Sequence, residues 1–312
     1  IAAPARRLPR RQLPEADTKT GNRARDSGAT TFFSCRIVAD PPYYAAMNAD
    51  VQIKLFRKLL PQQLRLREIV RLLGAADGKV CLDAGHDSAA MSKHLRTLGG
   101  SWCTVVRQEA SRTVVEQAIG DKAHVFDGHS LPFDDKVFDV VILSDFLERV
   151  TDDHALITEC HRVLKPTGRL IVDVPHSKRW AMLRPFEALL GTSIAKRERV
   201  RQGYTEAELF QLLKHGFDVH SVRSYSKAFV ELVDMFVCFK AGRIAESGAR
   251  DERLVKLYSR AYPFYWLAYQ ADGLLFFAKG YNIVAVAVRH PWRPRKAPVL
   301  HDGRSITEVT GL

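Results

Sequence analysis

The 312-residue sequence has no long apolar run and no clustered cysteines. Its longest uncharged apolar stretch, residues 261–271, is well short of the roughly 20 residues that a membrane-spanning helix needs. The five cysteines lie far apart without a C-x-x-C pair; they are Cys35, Cys81, Cys103, Cys160 and Cys238. This spacing argues against a disulfide framework and a structural metal. We therefore expect a cytoplasmic protein with no bound metal.

The charge of the chain is strongly positive but unevenly distributed. Lys and Arg number 47 against 35 Asp and Glu, a net charge of +12. Such a charge suits an anionic partner such as nucleic acid, phospholipid or a phosphorylated substrate. Residues 1–36 contribute +5 of this charge, and the mixture of Pro, Arg and Gly without periodicity over residues 1–35 predicts a disordered basic arm. The remainder is only mildly basic, so charge alone does not identify the partner.

Apolar runs and helical patterns alternate through the middle of the chain. The apolar spacing in residues 36–78 predicts N-terminal helices divided at Pro61. A later helix is predicted to begin after Thr205, which forms a capping box with Glu208. The runs predicted as strands are Lys79–Asp83, Trp102–Val106, His124–Phe126, Phe138–Leu143, Gly168–Val174, Phe217–Tyr225 and Tyr281–Arg289. This alternation predicts an α/β fold with a mostly parallel sheet and ligands at the carboxyl ends of its strands.

Two consecutive stretches carry a specific pattern. They are LPFDDKVFDVVILSDFLERV (Leu131–Val150) and ECHRVLKPTGRLIVDVP (Glu159–Pro175). Their L-P-F turn, F-D-x-V strand and R-V-L-K-P-x-G segment resemble the core of class I S-adenosylmethionine-dependent methyltransferases, especially those acting on small molecules and lipids. The resemblance implies a Rossmann-like, mostly parallel seven-stranded sheet with an antiparallel last strand and helices on both faces. It divides the chain into a core (79–225), a helical insert (226–280), a closing strand (281–290) and a tail (291–312).

The same resemblance implies S-adenosylmethionine as the cofactor, held first by the turn after the first strand. There the family has D-x-G-x-G-x-G, and this chain has Asp83, Gly85 and then His86, with Asp87 and Ala89 in place of the later glycines. We expect Asp83, Gly85 and His86 to contact the methionine portion, whose carboxylate the next helix N-terminus favours. Asp87 adds a negative charge close to that carboxylate.

The ribose position departs from the family. The acid that binds both ribose hydroxyls falls at Val106, which cannot accept a hydrogen bond, and Glu109 is the nearest substitute. Loss of a charge-assisted pair costs on the order of 1.5–3 kcal/mol, roughly tenfold to a hundredfold in affinity.

The remaining cofactor positions agree better with the family. Asp127 and Gly128 match the segment whose acid meets the adenine amine, and Ser144 and Asp145 end the fourth strand where the family lines the cofactor pocket. The alternative for this last pair is a cap for the helix that follows.

Candidates for the acceptor side are fewer. His176 follows the fifth strand, where the family has substrate-facing residues, and is the candidate general base. The alternative is a loop histidine in solvent or capping a turn, and His129 and Glu148 are weaker candidates. The aromatic residues and cations of the insert predict a lid, a hydrophobic pocket or a peripheral membrane surface; alternatively, they pack the insert against the core.

Two hypotheses of function therefore remain open. The first is methyl transfer to a small-molecule or lipid-type acceptor, and the second is a catalytically degenerate methyltransferase-like binding module, which Asp87 and Val106 favour. Nucleic-acid modification is the weakest hypothesis, because the supporting tetrapeptide, Asp40–Tyr43, precedes the predicted core. The sequence does not predict an oligomeric state.

Overall fold

The computed structural model describes residues 47–85, 87–177, 200–246 and 250–292. The predicted basic arm, the tetrapeptide at 40–43, His86 and residues 293–312 of the predicted tail lie outside the described residues.

One sheet of seven strands organises the described residues, in the order β3-β2-β1-β4-β5-β7-β6. The strands are β1 (Val80–Ala84), β2 (Ser101–Val106), β3 (Ala123–Val125), β4 (Phe138–Ser144), β5 (Leu164–Pro175), β6 (Phe217–Tyr225) and β7 (Asn282–Arg289). Strands β1 to β5 are parallel, and β7 runs antiparallel to both β5 and β6. The predicted mostly parallel sheet with an antiparallel last strand is confirmed.

Eight α-helices accompany this sheet in the described residues. They are α1 (Ala49–Phe56), α2 (Leu60–Leu73), α3 (Ala89–Arg96), α4 (Glu109–Ile119), α5 (Asp153–Val163), α6 (Glu206–Leu213), α7 (Ala228–Glu246) and α8 (Arg250–Asp272). Among these residues no helix has both the length and the apolarity needed to cross a membrane.

Helices cover both faces of the sheet because its central strands are apolar on both sides. Leu82, Val141 and Val172 face a core shared with α5 and α6. Their neighbours Cys81 and Ile142 face the opposite way, into a core shared with α2 and α3. The sheet is therefore the buried middle layer, and its ends are where loops reach the surface.

Local signals explain most helix boundaries, with one correction. The predicted capping box is present: the Thr205 hydroxyl accepts from the Glu208 amide, and the Glu208 carboxylate accepts from the Thr205 amide. Pro61, predicted to divide two helices, instead lies in the first turn of α2, and the break falls at residues 57–59. Proline is tolerated there because first-turn amides have no partner within the helix.

Strand β5 is longer than predicted, beginning at Leu164 rather than Gly168. Phe138 pairs with Leu164 and Val140 with Arg169, so an irregularity in the ladder absorbs the additional residues of β5. An apolar-run criterion misses this start because Lys165, Pro166 and Thr167 interrupt the run.

The insert contains a hairpin of two helices at the carboxyl end of the sheet. Tyr225 and Asn282 pair across β6 and β7, and the Tyr281 amide donates to the Ser226 carbonyl at 2.8 Å, so the insert leaves and re-enters at one point. Helices α7 and α8 pack on α1 through a core that includes Leu55 and Tyr265.

Candidate cofactor and acceptor site

The predicted cofactor residues meet where β1 and β4 end side by side. Asp83 pairs with Ile142 and Ala84 with Leu143, so Gly85 and Ser144 follow at the same level of the sheet. Strand β2 lies on one side of this pair and β5 on the other, which makes it the switch point of the sheet. Open α/β sheets bind their ligands at such points.

The turn after β1 requires glycine at position 85 for packing as well as for backbone conformation. Gly85 has a φ of 103°, and an added Cβ would lie 2.4 Å from the Phe146 Cβ. Asp83 is buried and accepts a hydrogen bond from the Ser92 hydroxyl at 2.6 Å. At the start of α3, the Ala89 amide donates to the Gln52 side chain of α1 at 3.0 Å, so α1 closes over this turn.

The negative charge at Asp87 is balanced within the chain. Its carboxylate accepts from the Arg107 amide at 2.6 Å and pairs with the Arg107 guanidinium at 3.1 Å. Asp87 has a φ of 50°, in the left-handed region that Asp tolerates better than most side chains. Sequence reasoning missed Arg107, because only the fold brings the end of β2 beside this turn.

The end of β2 differs from the pattern that binds ribose. Val106 is buried in an apolar cluster with Ala89 and Val115. The Glu109 side chain is 64% exposed and pairs with Arg112 at 2.9 Å. In the first turn of α4, the Ser111 hydroxyl is buried and has no hydrogen-bond partner among the described residues. Sequence reasoning also missed Ser111, since a serine within a helix carries no distinctive signal.

Asp127 is exposed at the end of β3. Its Oδ1 accepts from the amides of Ser130 and His129, both at 2.8 Å. These hydrogen bonds, that of Ser130 first, lower the pKa of Asp127, which favours the ionised form. Gly128 has a φ of 95°, and no atom of the described residues lies within 4 Å of the position of an added Cβ. Phe126 meets Phe146 edge to face, with ring centroids 5.1 Å apart.

Asp145 belongs to a buried charged cluster. Arg65 of α2 lies 2.7 Å from the Asp145 carboxylate and 2.8 Å from that of Asp173 in β5. The Ser144 hydroxyl donates to Oδ2 of Asp173 at 3.5 Å, and the Tyr225 hydroxyl donates to Oδ1 at 2.5 Å. Burial raises the pKa of Asp173 to about 6, and Arg65 opposes the rise.

The alternative interpretation, that Ser144 and Asp145 cap the helix that follows, is wrong. The next 3-10 helix, Leu147–Arg149, begins after Phe146 and has no side-chain cap. Asp145 is instead directed to Arg65, an ion pair that no local pattern in the sequence indicates.

His176 is buried at the end of β5, so the interpretation as a solvent-exposed loop histidine is wrong. Its amide donates to the Tyr281 carbonyl at 2.8 Å, and its Nδ1 lies 3.1 Å from the Gly280 carbonyl. Because a carbonyl only accepts hydrogen bonds, Nδ1 is the donor in this contact, and Nε2 is the ring nitrogen that it leaves over. Of the weaker candidates, Glu148 is buried and His129 is exposed.

Comparison with known proteins identifies the family. Residues 82–172 match a family described as a methyltransferase domain. Over 181 residues the chain is 30% identical to the ubiquinone/menaquinone biosynthesis C-methyltransferase UbiE of Paraburkholderia phymatum, covering 54% of this chain and 68% of that protein. The chain belongs to the class I S-adenosylmethionine-dependent methyltransferases.

One further sequence relative and one solved structure are also similar to this chain. The UbiE C-methyltransferase of Paraburkholderia phytofirmans is 28% identical over 181 residues, with 54% of this chain and 68% of that protein covered. Among solved structures, geranyl diphosphate C-methyltransferase from Streptomyces coelicolor has 15% identity and a TM-score of 0.47, covering 84% of this chain and 91% of that one.

The residues at the switch point fit the family's cofactor in part. Among the described residues the buried Ser111 hydroxyl, in the first turn of α4 after β2, has no hydrogen-bond partner, and the exposed Asp127 carboxylate at the end of β3 has a lowered pKa. The Asp87 charge is neutralised by Arg107. The ribose acid is replaced by buried Val106. The described residues hold no group of three His, Cys, Asp or Glu side chains that could bind a metal.

Proposed function

We propose that this methyltransferase transfers the methyl group of S-adenosylmethionine to a carbon atom of a lipophilic, quinone-type acceptor. The match over 181 residues to C-methyltransferases named for ubiquinone and menaquinone biosynthesis carries the proposal. A demethylmenaquinone methyltransferase of Lactiplantibacillus plantarum, 27% identical over 139 residues, agrees with it. The comparisons give no support to the alternative of a degenerate binding module.

The cofactor, when bound, supplies an electrophilic methyl group on a positively charged sulfur. In the proposal Asp83 and Gly85 hold its methionine portion, Asp127 accepts from its adenine amine, and Ser111 faces its adenosine. The Asp87–Arg107 pair keeps the turn neutral toward the carboxylate of the cofactor. Alignment of donor and acceptor is then the main contribution of the protein.

His176 is the proposed proton acceptor. A ring carbon is nucleophilic when a neighbouring hydroxyl is deprotonated, and methylation of that carbon also releases a proton. His176 stands at the carboxyl end of β5, adjacent to β4 in the sheet, and its bond to Gly280 leaves Nε2 as the accepting atom. The turn that contains Gly280 closes the insert, so the acceptor would lie between β5 and the insert.

Calorimetric titration with S-adenosylhomocysteine tests the cofactor site. We expect binding by the full chain, and a roughly tenfold to hundredfold loss in Asp127→Ala. Asp134→Ala is the matched control, since Asp134 is an exposed aspartate of the same loop. Absence of heat from protein shown to be folded, or equal losses in both variants, would refute the cofactor site.

Product analysis tests the acceptor. The chain is incubated with labelled S-adenosylmethionine and a series of demethylated quinols, and the methylated atom is located by NMR. We expect a new carbon–methyl bond, with turnover but not cofactor affinity reduced in His176→Gln. A methyl group found on oxygen or nitrogen would exclude carbon transfer and leave methyltransferase activity itself standing.

A further inference from the structure

The outward face of α8 changes chemistry along its length. Its inward face is an apolar stripe that includes Tyr258 and Tyr265, packed on α1 and α7. Before Pro263 the exposed side chains are polar or charged, Lys256 and Arg260 among them. After Pro263 the exposed side chains include three large apolar ones, Phe264, Trp266 and Leu267, which are 64%, 57% and 62% exposed, together with Tyr269 and Gln270. Packing within the hairpin does not explain why these apolar side chains after Pro263 are exposed.

The exposed apolar surface continues beyond the end of α8. Leu274, Phe276 and Phe277 are 75%, 84% and 66% exposed. Asp272 accepts from the Phe229 amide at 2.8 Å, which brings exposed Phe229 of α7 to the same end of the hairpin. We call this surface the apolar tip; it comprises Phe229, Phe264, Trp266, Leu267, Leu274, Phe276 and Phe277.

The charges around the apolar tip favour an anionic partner. Between Phe264 and Lys279 the sequence has one acid, Asp272, and it is buried as the acceptor for amides at the start of α7. Beside the tip is a pocket of about 480 Å³. Three cations, Arg67, Arg71 and Lys227, line it together with Glu68 and the buried Asp272.

We propose that the apolar tip inserts into the interfacial region of an anionic phospholipid bilayer, with Arg67, Arg71 and Lys227 facing the lipid phosphates. Aromatic rings gain free energy by leaving water at the boundary between headgroups and acyl chains, and cations near that surface are attracted to anionic lipids. Long cationic side chains can reach the phosphates while their methylene stems stay apolar. The proposal narrows the predicted membrane contact of residues 226–280 to one end of the hairpin.

This docking would place the acceptor side of the site next to the bilayer. The tip ends at Phe277, and the chain returns to the sheet through Gly280 and Tyr281, whose carbonyls bond His176. A lipophilic acceptor could therefore enter between the insert and β5 without crossing water. This route rests on the proposed function, whereas the docking itself does not.

Co-sedimentation of the full chain with vesicles tests the docking. The vesicles contain phosphatidylcholine alone or with phosphatidylglycerol, and the variants are Phe276→Ser/Phe277→Ser and the control Phe210→Ser, which alters a 50% exposed phenylalanine on α6. We expect the wild type and the control to sediment with the anionic vesicles, and binding by the double variant to fall about tenfold or more. Salt should weaken wild-type binding.

Two further measurements keep the test decisive. The fluorescence emission maximum of Trp266 should shift to the blue when anionic vesicles are added, and Trp266→Phe should remove that shift. Thermal unfolding identifies variants that fail to fold. Wild type left in the supernatant with both vesicle types, or equal binding by the double variant, overturns the proposal. If vesicles are not bound and sedimentation velocity shows a dimer that the double variant loses, the tip is an interface between copies. None of these readouts needs methyltransferase activity.

Discussion

The fold itself requires glycine at position 85, in addition to any role of Gly85 in cofactor binding. Its backbone lies against the Phe146 ring, and its φ of 103° is one that side chains rarely adopt. We expect Gly85→Ala to lower the free energy of unfolding by about 1–3 kcal/mol through overpacking, in addition to the backbone penalty. Urea unfolding of the unliganded chain measures the change.

Gly120→Ala is the matched control for this prediction. Gly120 also has a positive φ, 70°, but within the described part of the chain no atom lies within 4 Å of the position of its added Cβ. It should incur only the conformational cost of about 1–2 kcal/mol. Equal losses in the two variants would mean that the Phe146 contact does not constrain position 85.

Asp173 gives stability a definite pH dependence. Burial, opposed by Arg65, raises its pKa to about 6 from a usual 3.8. The folded state therefore binds this proton more tightly than the unfolded state, so the contribution of Asp173 to stability is full below pH 3.8 and is lost as the pH rises through about 6. Asp173→Asn has no such proton, and the stability of wild type relative to this variant should fall across that window.

Unfolding free energies measured at successive pH values check the sign. Tyr225→Phe should extend the window to higher pH, because the Tyr225 hydroxyl favours the ionised Asp173 carboxylate. A relative stability of wild type that rises with pH in this range would contradict the assignment.

At the scale of elements, Arg65 attaches α2 to the ends of β4 and β5. Its guanidinium lies between two buried carboxylates, those of Asp145 and Asp173. Breaking a buried pair leaves an uncompensated charge, which costs about 3–5 kcal/mol. We expect a loss of this size in Arg65→Met, measured by denaturant unfolding at neutral pH.

Arg71→Met on the same helix is the control, because Arg71 is exposed. Its effect should stay within about 0.5 kcal/mol. Adding Asp173→Asn to Arg65→Met should recover part of the loss, since one of the two stranded charges is removed. Additive losses in the double variant would rule out coupling through this cluster.

The elements themselves were largely predictable from the sequence. Strand β6 was predicted with its observed bounds, Phe217–Tyr225, because turns flank a run of strand-forming residues. Strand β5 was predicted too short, because its start at Leu164 depends on pairing with Phe138 across the sheet. Such pairing is a tertiary property that an apolar-run criterion does not include.

The site was predictable only where the chain follows a family motif. Asp83, Gly85 and Asp127 come from such motifs, and their roles remain predictions. The contacts that modify the site join distant segments: Asp87 with Arg107, and Arg65 with Asp145 and Asp173. Residues so far apart in sequence leave no local pattern, so these pairs could be found only in the fold.

For the whole molecule, the proposed site and the apolar tip share one end of the sheet. Strands β4 and β5 end there, and the insert leaves and returns between β6 and β7 at the same end. If the two proposals are linked, acceptors held in a bilayer and acceptors dissolved in water should respond differently to changes at the tip.

We therefore expect Phe276→Ser/Phe277→Ser to lower kcat/KM about tenfold for a prenylated quinol embedded in anionic vesicles. The reason is that less of the variant protein is bound to the vesicles that hold the acceptor. For a quinol without a tail, dissolved in buffer, kcat/KM should match that of wild type, since the variant leaves His176 and the switch point unchanged. Phe210→Ser should resemble wild type with both acceptors. Transfer from labelled S-adenosylmethionine measures all three proteins. Equal losses with both acceptors would show that the tip shapes the acceptor site itself, and no loss with either would separate membrane docking from catalysis.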